Sequence, residues 1–167
     1  MNIDKINNIV TDIYNELLQL DDGEVADYIP QLANVNSELF GISVCTVSGE
    51  IINIGDTNEH FCLQSCCKPL SYCISRELNN LDKVHKHVGY EPSGRSFNSF
   101  DLNNDNLPHN PLINAGAIMV SSLIDPDKEP SDRFEIINKY YQKMAGKEQL
   151  GYDNTVFLSE QHHADRN

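Results

Sequence analysis

Only two runs of this chain read as β-strand, and that scarcity constrains its fold most. Residues 39–47 alternate and are rich in Ile, Val and Thr, and residues 50–55 carry Ile51, Ile52 and Ile54. Ser48-Gly49 between them reads as a turn, so the pair is expected to form a β-hairpin. Two strands alone are marginal in water and need a covering helix or further strands. The apolar face of the hairpin is therefore expected to need further strands or another chain, since most of the rest of this chain reads as helix.

Ile3, Ile6, Ile9, Val10, Ile13, Leu17, Leu18 and Leu20 predict an amphipathic helix over 3–20. Asp21-Asp22-Gly23 is expected to end it, with Gly23 in the left-handed conformation. Residues 25–32 read as a short helix or turn interrupted by Pro30. Residues 62–78 read as a helix beginning near Ser65, because Pro69 is tolerated only in a first turn. Residues 91–111 read as loop. Residues 112–123 form an apolar, small-residue run that reads as a buried helix. Residues 132–144 read as an amphipathic helix stopped by Gly146, and residues 151–167 as a polar tail. Helix, hairpin, then helices with long loops is an α+β order.

The balance of charge excludes several functions. The 167 residues carry 12 Lys and Arg against 25 Asp and Glu, a net charge of −13. A face that displaces counterions from nucleic acid has to be basic, so no nucleic-acid partner is expected. A polybasic membrane anchor is excluded in the same way. No apolar run approaches the roughly 20 residues that span a bilayer, so no membrane partner is expected either. The first 30 residues hold one Lys, no Arg and seven acids, unlike a secretory or transit segment. The cysteines (Cys45, Cys62, Cys66, Cys67, Cys73) are odd in number and four crowd into residues 62–73. That pattern suits reduced thiols in a reducing compartment.

Four groups of residues could carry chemistry. Ser65-Cys66-Cys67-Lys68 has the S-x-x-K spacing that serine β-lactamases and penicillin-binding proteins use. On a helix it sets an ammonium beside a hydroxyl, near the dipole's positive end. Thirteen Ser and eight Lys supply about 0.6 such pairs by chance, and a capping Ser65 with a solvated Lys68 explains the spacing as well. Cys66-Cys67, His85-x-His87 and His162-His163 could ligate zinc, though no C-x-x-C or H-x-x-x-H pair is present; buried thiols and surface histidines are the plainer reading. A cysteine nucleophile has five candidates and no selected histidine. Asn114, opening the run Asn114-Ala115-Gly116-Ala117-Ile118, could present an amide to a polar ligand or simply cap a buried helix, with Gly116 allowing close packing.

Read together, these residues resemble a known family. Residues 23–167 resemble the serine-dependent, β-lactamase-like glutaminases, and look closest to the kidney-type enzymes of animals. The resemblance runs through Gly23 to Ala33, Phe40 to Val44, Leu63 to Leu70, Glu91 to Gly94, Phe97-Asn98, Pro108 to Ile118 and Met144 to Gly146. It ends on Ser159-Glu160 and Asp165-Arg166-Asn167. It implies a β-lactamase/transpeptidase-like α+β fold, of which this chain holds the N-terminal portion only: helices plus an N-terminal hairpin of the sheet. Residues 1–22 would be an N-terminal helix, and 23–167 the N-terminal half of a catalytic domain whose C-terminal half is absent.

The same resemblance implies hydrolysis of L-glutamine to L-glutamate and ammonia, without metal or organic cofactor. By motif position Ser65 would attack the carboxamide, Lys68 would polarise or deprotonate the serine hydroxyl, and Tyr28 would sit near the nucleophile and the substrate. Asn114, Glu160 and Asn167 would hold the amino and carboxylate groups of the substrate, and the Ser65 N–H would be one oxyanion donor. Two alternatives accompany this reading. The chain could be a truncated, catalytically incompetent fragment that binds glutamine or assembles with other subunits. It could also be a penicillin-interacting relative, which Glu160 and Asn167 and the reduced thiols disfavour. A cytoplasmic or mitochondrial location and a homo-oligomer are expected, with self-association through the hairpin's uncovered apolar face.

Overall fold

A computed structural model describes residues 2–163, and these fall into two compact units. One comprises the chain up to Cys62 together with its end from Asp153; the other runs from Leu63 to Tyr152. The architecture is α+β, with a single two-stranded sheet among the described residues.

In the first unit, helix α1 spans Ile3–Leu17. Asn2 begins it, its side-chain oxygen accepting from the Lys5 N–H at 3.1 Å. Val10 is buried, and Tyr14 stacks on Phe40 with centroids 5.2 Å apart. The helix ends three residues earlier than its apolar pattern suggests, and Gly23 does not take the left-handed conformation. The last turn instead winds tighter: Gln19 N–H donates to Glu16 O and Leu20 N–H to Leu17 O. These i→i+3 bonds satisfy carbonyls that a glycine cap would otherwise have met.

Helix α2 is short, Pro30–Ala33, and Pro30 begins it rather than interrupting a longer helix. A first-turn proline has no intrahelical bond to lose. Strands β1 (Gly41–Cys45) and β2 (Ile51–Gly55) pair antiparallel, with Gly41 opposite Gly55 and Cys45 opposite Ile51. Both are shorter than the sequence runs because Val47, Ser48 and Gly49 form a three-residue loop. Thr46 N–H bonds Glu50 O and Gly49 N–H bonds Thr46 O, both at 2.9 Å, with Gly49 at φ +86°. Val47, read as strand, is therefore fully exposed. Ile52 is buried and α1 packs on both strands, while Ser43 donates to Asn53 on the polar face at 2.7 Å.

The region read as a polar tail contains helix α7, Asn154–His163. Asp153 heads it, accepting from the N–H groups of Thr155 and Val156 at 2.9 and 3.1 Å. Helix α7 packs on α2.

In the second unit a 3₁₀ turn, Gln64–Cys66, leads into α3, Cys67–Asn79. Then come α4 (Leu81–Val84), α5 (Asn114–Ser122) and α6 (Pro130–Ala145). Val84, Val88 and Val120 form the core, with Tyr72 and Leu123 against it. The small helix α4 has no apolar period of its own. Asn80, at φ +63°, ends α3 and accepts from Lys83 N–H at 2.9 Å to begin α4. Buried Asn79 donates to Ser75 O and Leu123 O, tying the end of α3 to the end of α5. Helix α5 is buried along one side only, where Gly116 and Val120 lie; Ile118 is 48% exposed. Arg133 of α6 donates to Ser121 O and Ile124 O, both at 2.9 Å, meeting the carbonyl end of α5 with a cation.

Candidate active site

The chain enters α3 through a strained residue. Gln64 has φ +46°, a conformation non-glycine residues rarely adopt. Ser65 follows on the 3₁₀ turn and is exposed. Leu63, not Ser65, takes the cap position, and no side chain caps that turn, so Ser65 is not a helix cap. Neither its hydroxyl nor its N–H has a hydrogen-bond partner among the described residues. An N–H at the head of a helix is suited to receive a negative oxygen.

Lys68 sits in the first turn of α3, where Pro69 needs no backbone donor. It is not a solvated surface lysine. It is half-buried, and its ammonium donates to Asn114 Oδ1 at 2.5 Å. Burial pushes its pKa below the ordinary lysine value, against a smaller upward push from the Cys67 thiol. Ser65 and Lys68 are not hydrogen-bonded to each other; Lys68 and Asn114 are.

Asn114 is the first residue of α5 rather than its cap, which is Ile113. Its N–H donates to Phe97 O at 2.9 Å. The turn before the helix is shaped by Asn110, whose Oδ1 accepts from the N–H groups of Leu112 and Ile113. Gly116 then lies so close to Asn110 that an added Cβ would stand 1.7 Å from its carbonyl oxygen. The glycine lets α5 pack against this turn, with Asn114 directed at Lys68. A cleft of about 420 Å³ opens beside this pair, lined by Cys67, Lys68 and Ser71 of α3, Ala117 of α5 and Arg133 of α6.

Within the first unit, Tyr28 and Glu160 come together. The Tyr28 hydroxyl stands beside the Glu160 carboxylate, and burial together with that negative charge raises the tyrosine pKa. Helix α7, which carries Glu160, has almost no amphipathic pattern; Asp153 followed by Thr155 was its one legible signal. Asn167 lies outside the described residues.

The other candidates find different surroundings. His85 has both ring nitrogens engaged, Nε2 with the Tyr72 hydroxyl at 2.7 Å and Nδ1 with Val88 O at 2.9 Å. Among the described residues, no group of three His, Cys, Asp or Glu side chains could hold a metal ion. Burial raises the Cys67 pKa, which disfavours its thiolate. Tyr141, which the sequence presents only as part of an apolar helix face, turns its hydroxyl onto the Cys67 carbonyl oxygen at 3.0 Å. No local sequence signal marks that contact.

An exposed serine on a tight helix entry thus stands three residues before an oriented, half-buried lysine. The glutaminase family model matches residues 23–167, and the chain belongs to the glutaminase family. It is 48% identical over 155 residues to the rat protein "Glutaminase liver isoform, mitochondrial", covering 93% of this chain and 26% of the rat one. It is 44% identical to a glutaminase of Aliivibrio salmonicida, covering 95% of this chain and 52% of that one. The solved structure of "Probable glutaminase ybaS" superposes with a TM-score of 0.92 at 32% identity, over all of this chain and 54% of that one. A structure of Mglu "in its glutamate form" gives a TM-score of 0.86 at 32% identity, over 97% of this chain and 38% of that one. The chain therefore spans a quarter to a half of the length of these relatives and has part of their β-lactamase-like fold.

Proposed function

We propose that this chain provides the nucleophile and part of the substrate site of an L-glutamine amidohydrolase. Lys68 carries the reading: a lysine whose pKa is lowered by burial, held by Asn114, three residues from an exposed serine. In its neutral form Lys68 takes the Ser65 hydroxyl proton as Ser65 Oγ attacks the glutamine side-chain carbonyl. The Ser65 N–H donates to the oxyanion. The tetrahedral intermediate collapses as the amide nitrogen accepts a proton from Lys68 and leaves as ammonia. Water then cleaves the acyl-serine ester, giving glutamate and free Ser65. No metal or organic cofactor enters this scheme.

Glu160 suits the substrate α-ammonium, and the amides of Asn114 and Asn167 suit its α-carboxylate. The Tyr28 hydroxyl orients Glu160. That the similar protein Mglu was solved in a glutamate form supports an amino-acid site. The name of the rat relative supports a mitochondrial location over a cytoplasmic one. No helix among the described residues is long and apolar enough to cross a membrane.

The test is ammonia release from L-glutamine by the purified chain, beside Ser65→Ala. Release that Ser65→Ala abolishes supports the reading; release that survives it overturns Ser65 as nucleophile. No release from either protein favours the second reading, in which these residues bind glutamine or assemble with other subunits without turnover. That second reading rests on the share of the relatives' length that the chain spans.

A further inference from the structure

We propose that Tyr141 is a positioning residue for Ser65 and Lys68, clamping the first turn of α3 from behind; this rests on the reading of Ser65 as nucleophile. The clamp is a directed chain of hydrogen bonds. Tyr141 donates its hydroxyl proton to Cys67 O at 3.0 Å, and the Tyr141 hydroxyl oxygen itself lies 3.0 Å from Ser71 Oγ. With its own proton committed to the carbonyl, Tyr141 accepts from Ser71. Cys67 O lies on the backbone between Ser65 and Lys68, so the hydroxyl grips the segment joining the two reactive side chains.

Three observations make this turn one that needs a grip. Gln64 enters it at φ +46°, which only a well-determined surrounding maintains. Ser65 is exposed, and neither its hydroxyl nor its N–H is anchored by a described residue. The turn is 3₁₀ over Gln64–Cys66 before it becomes α-helical at Cys67, so its geometry is at a junction of two helix types. The Tyr141 hydroxyl is half-buried and burial raises its pKa, which keeps the donated proton in place across neutral pH. Its neighbour Tyr140 points elsewhere on α3, to Glu77 at 3.3 Å on the exposed surface. Adjacent helix residues face directions about 100° apart, so Tyr140 is a matched control.

The experiment compares Tyr141→Phe, Tyr140→Phe and Ser71→Ala by steady-state kinetics on glutamine and by amide hydrogen exchange. Tyr141→Phe is expected to lower kcat about tenfold with KM within about twofold, since small misplacements of reacting groups act on turnover. Exchange is expected to quicken over residues 65–71 and nowhere else. Tyr140→Phe should leave both readouts unchanged. Ser71→Ala should act less than Tyr141→Phe, because the bond to Cys67 O survives it. The proposal is overturned if kcat holds, if Tyr140→Phe or Ser71→Ala matches Tyr141→Phe, or if Tyr141→Phe unfolds or quickens exchange throughout. If the wild-type chain releases no ammonia, the functional reading fails instead. The clamp is then decided by exchange alone: quickening confined to residues 65–71 supports it, and unchanged exchange overturns it.

Discussion

The Lys68 ammonium donates to Asn114 Oδ1 at 2.5 Å, joining the first turn of α3 to the first residue of α5 across 46 positions of sequence. A neutral amide orients the lysine without holding it charged, while burial favours its neutral form. Activity should therefore rise with pH along a limb set by Lys68 below the ordinary lysine range. Asn114→Asp places a carboxylate on the ammonium and should move that limb to higher pH. Lys68→Arg, which keeps its proton, should remove turnover. The pH dependence of kcat for the three proteins checks this. Stability has a matching sign. The unfolded chain binds more protons between the lowered value and 10.5, so Lys68's contribution grows as pH rises through that window.

Tyr28 and Glu160 make a second pair, on α7 and the segment before α2. If Glu160 receives the α-ammonium of glutamine, Glu160→Gln should raise KM by more than about tenfold, the scale of losing a charge-assisted hydrogen bond. Tyr28→Phe should raise KM less, because the carboxylate remains. Glutamine analogues lacking the α-amino group should discriminate wild type from Glu160→Gln poorly. Equal loss on both substrates would show that Glu160 acts elsewhere.

The hairpin, the amphipathic helix α6 and the start of α3 near Ser65 were legible because each is written in local periodicity or in Pro and Gly chemistry. Glu160 was legible only by resemblance. Its helix α7 exposes most of its side chains, so no apolar stripe records it, and a single capping Asp153 fixes where it begins. Asn114 looked like a helix cap because Asn often is one. Asn110, four residues earlier, shapes that turn and leaves the Asn114 amide for Lys68. Nothing local distinguishes the two asparagines, since the difference is made by contacts 46 residues apart. Gly23 shows the same limit: Glu16 O and Leu17 O have already found donors in Gln19 and Leu20, so no left-handed glycine cap is called for.

Gly116→Ala should be the most damaging of the conservative substitutions. The new Cβ would stand 1.7 Å from Asn110 O and 2.7 Å from its carbonyl carbon, and both are backbone. Helix α5 must shift to admit it, at a cost of about 3 kcal/mol or more for overpacking against a rigid neighbour. The shift also carries Asn114 away from Lys68. Thermal melting should fall sharply, and surviving activity should lose its Lys68 limb. A melt like that of wild type would mean the close approach is not held in solution.

Self-association should run through α1. Ile9, Ile13 and Leu17 are each at least 39% exposed and recur every four residues along one stripe of the helix. The net charge of −13 opposes association at low salt. Sedimentation should therefore show a mass above 18.8 kDa that grows with ionic strength. Ile13→Lys should return the chain towards monomer without touching either candidate pair.

Acid should loosen α7 through Asp153. Its carboxylate accepts from the Thr155 and Val156 N–H groups and the Thr155 hydroxyl, and these bonds hold its pKa below the ordinary 3.8. A depressed carboxylate pKa stabilises the fold above the unfolded value and loses that contribution as pH falls through the folded value. The group is fully exposed, so the effect should be local fraying rather than global unfolding. Asp153→Ala should abolish the acid dependence and speed amide exchange over the first turn of α7 at neutral pH. Glu160, at the end of the second turn, should then bind substrate more weakly, raising KM with kcat nearly unchanged. If Asp153→Ala lowers kcat and leaves KM alone, α7 does not serve substrate binding in the way Glu160 requires.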